Sequence, residues 1–270
     1  MSAVEREPAV SPVPIIIGGS HRSGTSLFRH LLNAHSGIFC PSEIKFHMDL
    51  LRQFPNDPLE FARLSASIDA LGLSRDEWLD EFGTAFVRCF EKAATRAGKR
   101  RWADKNPENA VNIAHWRRLL GGRLFFILVV RHPLDVIASM ADARMDRVIP
   151  TDVAGRADHI SRFIRTGLEY CTAQPGMSYV LRYEALVEAP QATLSTVLPA
   201  LGESFEPGML EALKAPSGTP RGIEDPKVHR TRSVHASSVG RWRKDLSASD
   251  VKAAYARLQP LMDELGYGRD

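Results

Sequence analysis

The stretch from Pro14 to Leu32 constrains this chain more than any other. Pro14-Ile15-Ile16-Ile17-Gly18-Gly19 is a short apolar run closed by two glycines, the pattern of a strand buried on both faces of a parallel sheet. Ser20-His21-Arg22-Ser23-Gly24 follows as a loop. In Thr25-Ser26-Leu27-Phe28-Arg29-His30-Leu31-Leu32 the apolar residues then recur at helical spacing. Strand, loop and helix in this order make a cradle for an anion. Successive backbone N–H groups converge at the turn, and the helix start adds partial positive charge and N–H groups without intrahelical partners. Arg22, Ser23, Gly24, Thr25 and Ser26 are therefore candidate binding residues: glycine admits close approach, the hydroxyls donate, and Arg22 brings charge. The plain alternative is a glycine-rich turn with no ligand.

The rest of the chain alternates strand and helix signals. Arg101–Asp104, Arg123–Arg131 and Ser178–Arg182 read as strands. Pro107–Leu120, Pro133–Ala143, Asp152–Thr172, Tyr183–Leu201 and Ser247–Gly266 read as helical, with Pro107 in a first helical turn and Gly121-Gly122 as a stop. Such alternation predicts an α/β fold, a P-loop-like three-layer α/β/α arrangement with a central parallel sheet. Residues 1–13 read as a flexible tail and 14–270 as one domain. Within it, a helical insert covers about 43–99, with a short helix over Glu43–Phe54 and Ser74 as an N-cap. Residues 215–238, rich in Pro, Gly, Ser, Thr and basic side chains, read as a long loop of the kind that is functional or disordered, within a loop segment of about 215–243.

Charge narrows the partners. Lys+Arg 35 against Asp+Glu 32 leaves a net charge of +3, too mild for a nucleic-acid binder but compatible with a local pocket for a small anion. Cys40, Cys89 and Cys171 are odd in number and match no metal or redox spacing. No signal-peptide pattern opens the chain, and no apolar run approaches the roughly 20 residues of a membrane span. The expectation is a soluble, cytoplasmic protein with no metal, no nucleic acid and no membrane partner; its oligomeric state is open.

The loop Gly19–Ser26 has the spacing of a GxxxxGK phosphate loop, but Thr25 stands where a nucleotide triphosphatase carries lysine, and the cation is Arg22 inside the loop. That disfavours ATP or GTP hydrolysis and points to another anionic nucleotide. A second anion site is expected where Arg123–Arg131 ends, since ligands of open α/β sheets bind beyond the carboxyl ends of the strands. Arg131 offers a planar fork for phosphate oxygens, and Ser139 on the next helix can return towards it. The alternative is an Arg131–Asp135 ion pair that only orders the loop.

With these residues in view, the chain resembles the PAPS-dependent sulfotransferases (PAPS is 3′-phosphoadenosine 5′-phosphosulfate), in their bacterial, carbohydrate and protein-tyrosine branch. Gly19–Ser26 is similar to the family's 5′-phosphosulfate loop, and Arg131 with Ser139 to its 3′-phosphate motif. Tyr183-Glu184-Ala185-Leu186 with Pro190 is similar to a segment whose tyrosine lies near the adenine, and Ser237-Ser238-Val239-Gly240-Arg241-Trp242 to a late element that closes over the nucleotide. The four occur in family order. The resemblance implies sulfuryl transfer from PAPS to a hydroxyl or amine acceptor, with release of PAP. The acceptor would be a small molecule, a glycan or a natural product. It further implies Ser237, Ser238, Gly240 and Arg241 at the nucleotide. The small-molecule branch carries lysine at the place of Arg22, and Arg-Lys-Gly where this chain has His235-Ala236-Ser237, so Arg230, Arg232 or Arg241 stands in for the basic residue.

For chemistry, the resemblance nominates Glu43, in Pro41-Ser42-Glu43-Ile44, as the base. Lys105, in Asp104-Lys105-Asn106-Pro107, is nominated as the cation that stabilises the leaving oxygen beside Arg22. His47 is the reserve base and His21 the third choice; a solvated helix-start glutamate and a surface lysine are the plain alternatives. Trp242 reads as a loop anchor. Two rival functions are a P-loop kinase-like phosphotransferase and a non-catalytic nucleotide-binding module.

Overall fold

The apolar run Ile15–Gly19 becomes β1, all five of its residues buried, with a parallel partner on each side. In the computed structural model, which describes residues 12–44, 58–142, 148–212, 234 and 236–268, β1 is the middle of a five-stranded sheet ordered β2-β3-β1-β4-β5. The others are β2 Ile38–Phe39, β3 Arg101–Lys105, β4 Phe125–Val130 and β5 Ser178–Arg182, and every pairing is parallel. The helices are α1 Thr25–Asn33, α2 Pro58–Ala70, α3 Arg75–Arg96, α4 Asn109–Leu119, α5 Pro133–Ala141, α6 Val153–Ala173, α7 Tyr183–Glu188, α8 Pro190–Ala200, α9 Gly208–Glu211, α10 Trp242–Asp245 and α11 Ala248–Glu264.

Side chains on neighbouring strand positions point to opposite faces, so unbroken apolar strands feed two cores. Ile16, Phe126, Leu128 and Val130 join Trp116 of α4, Ile137 of α5, Phe163 of α6 and Leu258 of α11. Ile15, Ile17, Ile127 and Val129 join Phe28 and Leu31 of α1 and Leu194 and Leu198 of α8. The result is a three-layer α/β/α sandwich. β1 and β4 run in register, Gly19 opposite Val129, so the loops that leave them depart from the same edge.

One local reading holds and several change. Ser74 caps α3 through a full capping box with Glu77. The two-residue edge strand β2 has no period of its own and exists by pairing with β3. Pro107 lies before the helix that it was expected to open, because the turn Asn106-Pro107 is needed elsewhere: Asn106 N–H donates to the Ile17 carbonyl (3.2 Å) and Gly19 N–H to the Pro107 carbonyl (3.3 Å). Val13, read as tail, has its carbonyl bound by Arg101 Nε at 2.5 Å. The Glu43–Phe54 helix and His47 fall largely or wholly outside the described residues, as do Arg230, Arg232, His235 and most of the 215–243 loop. Among the described residues, no helix is long and apolar enough to cross a membrane, and no group of three or more His, Cys, Asp or Glu side chains could hold a metal ion.

The junction of β3 and α4 carries a buried polar chain. Trp116 Nε1 donates to Asn109 Oδ1 (2.9 Å), and Asn109 Nδ2 donates to Asp104 Oδ2 (2.8 Å) and to the Ile17 carbonyl (3.0 Å). Burial pushes the Asp104 carboxyl up to about 7, against the Asn109 hydrogen bond and the Lys105 charge, which both pull it down. A carboxyl raised on folding favours the folded state while it stays protonated, and that contribution fades as pH rises from its unfolded value near 4 through about 7. Thermal melts should therefore show Asp104→Asn gaining on wild type as pH rises across this window; a difference constant with pH would contradict it.

Candidate active site

Two loops at the carboxyl edge of the sheet, after β1 and after β4, are fastened to each other. The loop Ser20–Gly24 turns tightly, Ser23 N–H donating to the Ser20 carbonyl (3.2 Å), and passes into α1 at Gly24. Gly24 is required twice over: its φ is +98°, and a Cβ there would stand 2.3 Å from the Tyr183 ring. Arg22 also has a left-handed backbone, with φ of +68°. Its Nε donates to Ser139 Oγ (3.2 Å), and its carbonyl accepts from Arg131 NH1 (3.2 Å). Ser139 thus returns to the crevice as expected, but bonds to Arg22 rather than to Arg131.

Arg131, buried where β4 ends, also donates through NH2 to the Ser238 carbonyl (2.5 Å), and its guanidinium lies 4.6 Å from the Tyr183 ring centroid. Burial draws its pKa below the ordinary arginine range. Tyr183 Oη and Ser238 Oγ share a hydrogen bond of 2.7 Å. The Asp135 carboxylate accepts from the amides of Gly240 (2.8 Å) and Trp242 (3.0 Å), which replaces the ion pair with Arg131 weighed from sequence. Trp242 stacks on His132 with centroids 5.7 Å apart, as an anchor for this late segment. Arg241 is engaged by Asp142 (2.6 Å) and Asp245 (2.5 Å), and Ser237 lies in the exposed turn before it.

The third assembly joins β3, α1 and the segment after β2. Lys105, its side chain wholly buried, donates through Nζ to Glu43 Oε1 (2.6 Å) and to Ser26 Oγ (3.0 Å). Glu43 keeps its side chain 12% exposed, so one end of this ion pair faces outward. His21 points to the opposite layer and meets His159. The structure therefore brings together Arg22 with Arg131 and Ser139, Tyr183 with Ser238, and Glu43 with Lys105 and Ser26. Sequence reading missed Asp135 as the holder of the late segment, and His159 and Asn109 altogether. Asp135 lies within the Arg131–Ser139 stretch but acts on Gly240 and Trp242, His159 meets His21, and Asn109 joins Ile17 to its chain neighbours Asp104 and Trp116.

Chemically, this edge offers N–H groups and hydroxyls around the head of α1, two guanidinium groups, an ammonium and one carboxylate paired with that ammonium. A nucleotide with phosphates at both ends fits the polar atoms left over: Ser23 Oγ and Arg131 Nε are buried without a protein partner. Residues 14–207 match the model of the Sulfotransferase family. The chain is 27% identical to the nodulation protein NoeE of Sinorhizobium fredii, over 96% of this chain and 67% of that protein. It is 26% identical to protein-tyrosine sulfotransferase 2 of Gallus gallus, over 94% and 69%. Its fold is similar to the sulfotransferase domain from the curacin biosynthetic pathway, with a TM-score of 0.64 at 20% identity, covering 93% of this chain and 98% of that domain. The buried cations around the head of α1 thus sit in a chain that belongs to the PAPS-dependent sulfotransferase family, enzymes that transfer a sulfuryl group.

Proposed function

We propose that this protein moves the sulfuryl group of PAPS to a hydroxyl or amine of a small molecule, glycan or natural product, and releases PAP. The observation that carries the reading is the Lys105 bridge, which joins Glu43 to Ser26 at the head of the donor loop's helix. The loop Gly19–Ser26 is read as P-loop-like: Ser23, Gly24, Thr25 and Ser26 with Arg22 hold the 5′-phosphosulfate. Arg131 and Ser139 hold the 3′-phosphate, Tyr183 flanks the adenine, and Ser237, Ser238 and Gly240 close over it. Arg241 serves as a brace to Asp142 and Asp245, so a basic residue beyond the described segment is left to complete the 3′ end. The helical insert of about 43–99 shapes the acceptor pocket.

Each residue then has a physical task. Glu43 takes the proton of the acceptor hydroxyl or amine. The acceptor atom forms its bond to sulfur as the bond from sulfur to the bridging phosphate oxygen breaks, in line. Lys105 and Arg22 neutralise the charge that grows on the departing oxygen. Lys105 needs no solvent reorganisation to do so, since it is buried and already oriented by two hydrogen bonds.

Thermal-shift titration separates this reading from a kinase-like one. PAP should raise the melting temperature without any metal, and Mg-ATP should not; the reverse result contradicts the proposal. Transfer from radiolabelled PAPS to a panel of alcohol, phenol and glycan acceptors tests the base. Glu43→Gln should lower kcat by about 10²–10⁴-fold while PAP affinity holds. A variant with wild-type turnover would remove Glu43 from the mechanism, and binding of PAP with no transfer to any acceptor would favour a non-catalytic module.

A further inference from the structure

His21 stands next to the most constrained residue of the donor loop. Arg22 holds a left-handed backbone, disfavoured for any residue with a Cβ, and it is the one non-glycine with positive φ among the described residues. Its own carbonyl and side chain are tied to the β4 side by Arg131 and Ser139. On the other flank, the His21 ring is buried between α4 and α6. Its Nδ1 lies 3.0 Å from His159 Nε2, its Nε2 lies 4.0 Å from Glu108 Oε1, and its ring meets Phe163 edge-on at 5.4 Å. His159 is itself stacked on Phe163, with centroids 4.3 Å apart.

The proton positions follow from this row. Burial, with the nearby Arg162 charge, holds His159 down at about 4, so at neutral pH it carries a single N–H. A His159 Nε2–H donated to His21 Nδ1 leaves the His21 Nε2–H directed at the Glu108 carboxylate, 4.0 Å away, within ion-pair reach but beyond a hydrogen bond. Both His21 nitrogens therefore face partners from the N-cap of α4 and from α6, the layer opposite α1, whereas Glu43 and Lys105 meet at α1. His21 is thereby poorly placed to act as the base.

We propose that His21 is a positioning residue: clamped by His159 and Glu108, it sets the left-handed turn at Arg22 and so governs donor affinity through Arg22. The proposal rests on the reading of this loop as the site of the donor's phosphosulfate end.

The test uses His21→Ala, His159→Ala, His159→Gln and the double alanine variant, with PAP affinity by calorimetry, kcat and KM for PAPS, and amide exchange of Ser20–Thr25 without ligand. Each single alanine change should weaken PAP about tenfold, the size of one lost hydrogen bond. The double variant should be no worse than either alone. His159→Gln, which keeps a donor, should recover most of the affinity, and the Ser23 amide should exchange faster in His159→Ala. If His21→Ala does not fold, the two His159 variants carry the test by themselves. Unchanged PAP affinity in His159→Ala overturns the proposal, and so does a His21→Ala protein that binds PAP normally yet loses kcat, the behaviour of a base. The exchange readout needs no ligand: a wild type that fails to bind PAP sinks the donor reading, whereas unchanged exchange in His159→Ala sinks the clamp.

Discussion

The contact from Arg131 to the carbonyl of Arg22, 3.2 Å long, joins the two halves of this site. It is possible because β1 and β4 are parallel neighbours in register, so that three residues beyond Gly19 and two beyond Val129 the chain has reached the same crevice. The connections from these strands then diverge, α1 packing in one helical layer and α5 and α6 in the other. A gap where the chain turns opposite ways is where open α/β sheets bind ligands. Here each lip of that gap carries an arginine, and the arginines reach across: Arg131 to the donor loop, and Arg22 to Ser139 on α5.

Burying cations is costly unless each is oriented and hydrogen-bonded, and at this edge Lys105 and Arg131 are buried and Arg22 is half-buried. Lys105 is held by a carboxylate and a hydroxyl, Arg22 by a hydroxyl, and Arg131 by two carbonyls and the face of Tyr183. Lys105 forms an ion pair with Glu43. In the proposed function these cations face a doubly anionic nucleotide, and Glu43 takes the proton that a sulfuryl acceptor loses. The late segment Ser238–Trp242 is tied to the same frame by Arg131, Tyr183 and Asp135, so its position depends on the end of β4 and the start of α5.

What could be read from sequence was what is local. β1, β4 and β5 are visible as apolar runs with turn residues at their ends, and the donor loop is visible because glycine, arginine and hydroxyls crowd one helix start. Glu43, Lys105, Arg131, Ser139 and Tyr183 are legible because they sit in short motifs, but which candidates meet one another is not. Ser139 lies eight positions beyond Arg131, yet packing gives it to Arg22. β2 is two residues long and exists only through β3. His159, Glu108 and Asn109 gain meaning from helices folding onto the sheet, and no spacing in the chain announces that. Pro107 misled because proline suits a helix start, whereas this one serves a turn that extends the pairing of β1 with β3.

The central claim is that the loop after β1 and the arginine ending β4 hold opposite ends of one nucleotide. Affinities for PAP and for 5′-AMP, which lacks the 3′-phosphate, measured on wild type and Arg131→Ala, test it directly. Wild type should prefer PAP by about 10²-fold, in line with charge-assisted hydrogen bonds to one phosphate. Arg131→Ala should bind the two nearly alike. An Arg131→Ala protein that still prefers PAP as strongly as wild type would place the 3′-phosphate elsewhere and contradict the account.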